Sequence, residues 1–261
     1  MLHIAGWIET SLIDVIGDVS FVIWFNYCNF RCPWCQNAHV VHAKVTRRVT
    51  IDEILDAIGR VANIIGYVHV TGGEPTLQAE GLKGLLKRCK DEIGVKTSIS
   101  TNGSRPIVVK DLIENKLLDH IAIDIKAPLR DERKYKQLTG CQKITDFKNV
   151  LNSIRDTIEL SLRRIEFVEL RTTIIPEMLK RVDVLDIIKD VKDLVSYNKF
   201  NNRVAYVLQQ FMPSDTMINR AFRELPKTDL KLLYDLAHVA KNKIKDIEIY
   251  IRAQEIGILK I

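Results

Sequence analysis

Two hundred and sixty-one residues, 46% of them hydrophobic, suffice for one α/β domain with a sizeable core and exclude a disordered chain. Lys and Arg outnumber Asp and Glu by 39 to 33, and the resulting net charge of +6 is spread along the chain, so no basic tail exists and nucleic-acid binding is not indicated. No apolar run approaches a membrane span, and the apolar start is broken by Glu9, Asp14 and Asp18 without a signal peptide's cationic opening or cleavage site; a cytoplasmic protein is expected.

The first β-rich run covers 19–25. It feeds Asn26-Tyr27-Cys28-Asn29-Phe30-Arg31-Cys32-Pro33-Trp34-Cys35-Gln36-Asn37. Three cysteines in C-x3-C-x2-C spacing read as a metal or redox loop in a reducing compartment. Ordinary ferredoxin clusters take four thiolates, so three on one loop would leave one iron of a cube open. Structural zinc is the alternative, with His39 or His42 as fourth ligand. Thr50 followed by Glu53 is a capping box that opens a helix over 50–62. The run 67–70 ends in Thr71-Gly72-Gly73-Glu74-Pro75-Thr76, where two glycines permit close backbone approach and Glu74 offers a carboxylate to an ammonium group; an ordinary turn is the alternative.

A helix over 80–92 follows, with Cys89 as a buried filler. The run 96–100 ends in Ser100-Thr101-Asn102-Gly103, and a helix over 107–115 leads to the run 120–125. There Asp124 and Lys126 stand two apart on one side of the strand, an opposite-charge pair that is either structural or ligand-binding. After a helix over 145–157, the run 165–173 repeats that spacing in Glu169 and Arg171. A helix over 177–195, the run 204–210 with Gln209-Gln210-Phe211-Met212-Pro213, a helix over 228–242 and the run 247–251 complete the chain. Strands alternating with helices predict a parallel sheet with ligands at the carboxyl ends of the strands. Seven strands are too few for a closed eight-stranded barrel and suit a partial, open β/α barrel, read as a single domain over 1–261 with a core over about 15–215.

Cys28, Cys32 and Cys35, with Trp34 before the last cysteine, together with Gly72-Gly73-Glu74-Pro75, resemble the radical S-adenosylmethionine superfamily. Ser11-Leu12-Ile13-Asp14 with Gly17, Gln36-Asn37, Ser100-Thr101-Asn102-Gly103, Asp124-Ile125-Lys126 and Tyr135-Lys136-Gln137-Leu138-Thr139-Gly140 are similar to the glycyl-radical-enzyme activating proteins. Within that group, residues 11–14 and Val207-Leu208-Gln209-Gln210-Phe211 look most like the activators of anaerobic ribonucleoside-triphosphate reductase, with the pyruvate formate-lyase type next. Two positions depart from the latter, which has an acidic residue at Ser100 and a His where Phe211 and Met212 stand. No second cysteine cluster follows the first.

The resemblance implies a [4Fe–4S] cluster on Cys28, Cys32 and Cys35. It implies S-adenosylmethionine held by Gly72, Gly73, Glu74, Pro75, Thr101, Asn102, Asp124, Lys126 and Arg171, with Phe30 and Trp34 shielding the cluster. The chemistry belongs to these cofactors, and no side chain is singled out as acid or base. The implied partners are a glycyl radical enzyme, the anaerobic reductase first, and an electron donor such as ferredoxin or flavodoxin. A radical enzyme acting on a small molecule or nucleotide is the enzymatic rival, and a zinc-stabilised binding protein the non-enzymatic one.

Overall fold

The apolar runs become strands because β-branched and aromatic residues dominate them and are buried on both faces, as parallel strands between helices must be. The computed structural model describes residues 1–44, 46–198 and 202–261, which pack as two compact units interleaved along the chain.

One unit comprises Met1–Asn29, Asn37–Thr101 and Arg105–Ala122. In chain order it holds β1 (Leu2–Ser11), β2 (Ser20–Phe25), α1 (Ala38–Val41), β3 (Arg47–Val49), α2 (Ile51–Gly59), β4 (Tyr67–Gly72), α3 (Ala79–Arg88), β5 (Lys96–Thr101), α4 (Pro106–Glu114) and the start of β6 (His120–Asp124). Its strands run in the order β6-β5-β4-β2-β1-β3. β2, β4 and β5 are parallel, with Phe21 opposite Val68 and Val70 opposite Ile99. β1 and β3 are antiparallel edge additions. Phe21, Ile23, Phe25, Val68, Val70, Ile54, Ile58, Leu82 and Leu85 are fully buried and form the core.

The other unit comprises Phe30–Gln36, Asn102–Ser104 and Ile123–Ile261. From the end of β6 it continues through α5 (Glu132–Thr139), α6 (Phe147–Arg164), β7 (Phe167–Ile174), α7 (Arg181–Tyr197), β8 (Arg203–Gln210), α8 (Leu230–Lys243), β9 (Glu248–Ala253) and β10 (Gly257–Lys260). Its strand order is β6-β7-β8-β9-β10. β7, β8 and β9 are parallel, with Leu170 opposite Tyr206 and Leu208 opposite Ile251, and β10 folds back antiparallel on β9.

All seven expected strands are present, and β1, β3 and β10 are added to them. The helix expected over 80–92 ends at Arg88 and passes into a π-helical turn, Cys89–Ile93, closed by left-handed Gly94. The helix expected from 177 begins at Arg181, because Glu177 sits at φ 64° outside helical space. No helix among the described residues is long and apolar enough to cross a membrane.

The capping box is formed. Thr50 Oγ1 accepts from Glu53 N at 3.2 Å, and Glu53 Oε2 accepts from Thr50 N at 2.7 Å. Thr50→Ala should therefore destabilise the protein by about 1 kcal/mol and lower the thermal midpoint by about 2–4 °C, which a melting curve checks.

Candidate cofactor site

The strand ends of the first unit bring Cys28 and the Gly72–Gly73–Glu74–Pro75 turn together. Tyr27 leads into the cysteine loop at φ 73°, a left-handed conformation that costs a non-glycine residue roughly 1–2 kcal/mol. Three backbone hydrogen bonds hold the chain there. Tyr27 N donates to Val40 O at 3.1 Å, Gly73 N to Phe25 O at 2.9 Å and Glu74 N to Tyr27 O at 2.7 Å. The glycines are needed for this contact. A Cβ on Gly73 would lie 1.9 Å from Tyr27 O and 3.2 Å from Cys28 N, and one on Gly72 would lie 2.3 Å from Phe25 O at φ +117°.

Glu74 is fully buried. Its Oε1 accepts from Thr76 N at 3.1 Å, Thr76 Oγ1 at 2.5 Å and Thr101 Oγ1 at 2.8 Å. Pro75 opens a 3-10 turn, Pro75–Gln78, that Glu74 caps. Glu74 and Thr101 lie at the ends of separate strands, and one carboxylate oxygen joins them.

In the second unit, Cys35 N donates to Cys32 O at 3.0 Å, which closes the C-x2-C segment into a turn. Phe30 and Cys32 are buried, and Cys35 and Trp34 are half-buried. Asn102 Oδ1 accepts from Ser104 N at 3.0 Å, so that side chain shapes its own loop. Lys126 lies beyond the end of β6, yet its Nζ still reaches Asp124 Oδ2 at 2.7 Å and sits 5.1 Å from the centre of the Trp34 ring. Burial works against the Lys126 charge, but the Asp124 carboxylate and the nearby Cys32 outweigh it and hold the ammonium above the usual lysine range.

Arg171 gives Nε and Nη2 to Glu169 Oε2, both at 2.7 Å, and Arg252 Nη2 joins the same oxygen at 3.2 Å. Arg252 was not anticipated, because no motif in the last 45 or so residues points to it.

The donor set fits an iron–sulfur cube with one open iron, since three soft thiols lie on one short loop and none of the five cysteines is in a disulfide. Among the described residues, no three or more His, Cys, Asp or Glu side chains are gathered closely enough to hold a metal ion, so the structure does not itself draw Cys28, Cys32 and Cys35 into one ligand cluster. Cys28 Sγ faces Asn29 Oδ1 at 4.0 Å. Cys89 is fully buried, and burial pushes its thiol up to about 12. Cys141 is also buried and raised, with its thiol on Thr139 O at 3.4 Å. Both stand as protonated packing residues.

The chain matches the Radical SAM superfamily over residues 22–195. It is 33% identical to a candidate glycyl-radical enzyme activating enzyme of Methanocaldococcus jannaschii, MJ1227, over 94% of this chain and 95% of that one. It is 30% identical to the pyruvate formate-lyase-activating enzyme of Clostridium pasteurianum over 55% of this chain and 60% of that one. Among solved structures it is similar to native anSMEcpe with bound AdoMet and a Kp18Cys peptide, with a TM-score of 0.53 at 19% identity, covering 89% of this chain and 63% of that one. That likeness supports the fold class expected from the sequence, an open α/β barrel. The chain belongs to the radical S-adenosylmethionine superfamily, as an enzyme of the glycyl-radical-enzyme activating type whose cofactors are a [4Fe–4S] cluster and S-adenosylmethionine.

Proposed function

We propose that this chain activates an anaerobic ribonucleoside-triphosphate reductase by removing one hydrogen atom from a glycine of that partner and leaving a glycyl radical. The observation that carries the reading is the likeness to MJ1227, which runs along 94% of this chain and 95% of the other. The reductase as target rests on Ser11-Leu12-Ile13-Asp14 and Val207-Leu208-Gln209-Gln210-Phe211. Ser11 Oγ donates to Asp14 Oδ2 at 2.6 Å and accepts from Ile13 N at 3.3 Å, which leaves Leu12 and Ile13 exposed for a protein partner.

In this reading Cys28, Cys32 and Cys35 hold the cluster, and Gly72, Gly73, Glu74, Pro75, Thr101, Asn102, Asp124, Lys126 and Arg171 line the S-adenosylmethionine site. Bound there, the cluster would pass one electron, received from a ferredoxin or flavodoxin, to S-adenosylmethionine; this breaks the sulfonium C–S bond, releases methionine and supplies a 5′-deoxyadenosyl radical that takes the partner's hydrogen atom as 5′-deoxyadenosine. The chain's own groups bind and orient. Glu74 is fixed by two threonine hydroxyls and so presents a preset carboxylate to an ammonium group. Lys126 keeps its charge for a carboxylate and is oriented by Asp124. Phe30 and Trp34 limit water at the cysteine loop. Residues 1–261 work as one radical S-adenosylmethionine domain.

The test mixes reduced protein, S-adenosylmethionine and the reductase without oxygen and records the electron paramagnetic resonance spectrum. A doublet that vanishes when the reductase's radical-site glycine is replaced by alanine is expected. 5′-Deoxyadenosine formed in step with a modified small molecule, with no doublet, would overturn the assignment.

A further inference from the structure

The stretch Tyr135-Lys136-Gln137-Leu138-Thr139-Gly140 closes α5, and the proposed cofactor ligands include none of it. The last carbonyls of a helix lack partners within it. In α5 two of them are spent on the cysteine loop. Leu138 O accepts from Trp34 Nε1 at 2.9 Å, and Thr139 O accepts from Arg31 N at 2.8 Å. Gly140 ends the helix at φ +66°, where a Cβ would lie 2.0 Å from Arg31 O and 2.6 Å from Arg31 C. The same helix reaches the end of β6, because Lys126 N donates to Tyr135 Oη at 3.3 Å. Lys126 Nζ in turn lies over the Trp34 ring.

We propose that the last turn of α5 is a positioning clamp that fixes the Cys32–Cys35 turn against Lys126, with Gly140, Leu138 O and Thr139 O as its jaws. It rests on the proposed roles of Cys32, Cys35 and Lys126 and not on which enzyme is the partner. The clamp sets the distance between the metal-binding turn and the cation proposed for the cofactor's carboxylate. Two further contacts from other segments hold the loop, Gln36 Nε2 to Met212 O at 2.7 Å and Asn219 N to Pro33 O at 2.9 Å. Opening the clamp therefore loosens the loop without detaching it.

Gly257 provides a matched control. It sits at φ +65°, and a Cβ there meets nothing within 4 Å. Gly257→Ala and Gly140→Ala carry the same left-handed strain, and only the second pushes on Arg31. The three proteins, wild type included, are reconstituted anaerobically, and iron release to a chelator is timed. The spectrum of the reduced cluster is recorded with and without S-adenosylmethionine.

Gly140→Ala should release iron about tenfold faster or more and lose the spectral change that S-adenosylmethionine causes, while Gly257→Ala follows wild type. Trp34→Phe, which keeps the ring and removes one donor, should release iron about fivefold faster. Equal release and an unchanged spectral response in Gly140→Ala and Gly257→Ala overturn the clamp. If Gly140→Ala does not fold, wild-type behaviour of Trp34→Phe does so. A wild-type protein that binds no iron at Cys32 overturns the ligand assignment instead, so the two failures are distinct.

Discussion

Cys32→Ala should emerge from anaerobic reconstitution without a stable cluster, whereas Cys89→Ala should carry the full wild-type complement of iron and sulfide. Three thiolates are the smallest set that holds a cube with one open iron, and removing one leaves two protein corners. Cys32 is the buried member of the set and anchors the turn through its carbonyl to Cys35 N. Cys89 cannot substitute. Burial pushes that thiol well above the usual cysteine range, with Glu92 adding to the rise and Arg88 opposing it, so it stays a protonated packing residue. Cys89→Ala should cost only folding stability, about 1–2 kcal/mol for a small buried side chain. Iron and sulfide are measured per chain beside a melting curve. Wild-type iron in Cys32→Ala would remove Cys32 from the ligand set.

Gly73→Val should lose both the cluster and S-adenosylmethionine binding. From the sequence alone the expectation is narrower, loss of S-adenosylmethionine with the cluster intact, on the view that the glycine makes room for the ligand. The structure fills that room with the chain itself. A Cβ would lie 1.9 Å from Tyr27 O, 2.5 Å from Tyr27 C and 3.2 Å from Cys28 N. These are backbone atoms and cannot swing aside, so the entry to the cysteine loop must move. Overpacking of this kind costs about 1–3 kcal/mol or more. Gly59→Ala, where a Cβ meets nothing within 4 Å, should stay within about 1 kcal/mol of wild type. Iron per chain, equilibrium dialysis of S-adenosylmethionine and the thermal midpoint measure the three effects. Full iron with only S-adenosylmethionine lost would return the space beside Gly73 to the ligand.

The parallel strands were legible because they are doubly buried, so their sequences are continuous apolar runs. The added strands are not of that kind. β1 carries Gly6 and register shifts between Ile4 and Gly6 and between Ile8 and Ser11, which break the alternation a reader looks for. β3 and β10 are three and four residues long with mostly exposed side chains. α5 escaped for a similar reason, since only Tyr135, Leu138 and Thr139 of its eight residues are buried. Its motif was visible, but its contacts with the cysteine loop run through backbone carbonyls, and composition does not record where a carbonyl points. The cysteine spacing, the Gly-Gly-Glu-Pro turn and the Asp124–Lys126 pair were legible as side-chain chemistry. Tyr27, which takes a strained left-handed φ beside Cys28, carries no local signal of it.

The cysteine turn has a consequence for synthesis on the ribosome. Arg31 is held by Thr139, and Pro33 by Asn219, which lies 186 positions further on (219 − 33). At 5–20 residues per second, roughly 10–40 s separate the emergence of Cys32 and Cys35 from that of the last segment that pins them. Throughout that interval the two thiols belong to a nascent chain whose retaining contacts are incomplete, those from α5 being translated first and that from Asn219 last. Metal delivered then would meet a pliable peptide and not a framed turn. The fully framed turn therefore exists only once the chain has been translated past Asn219, and its thiols must stay reduced until they are metallated.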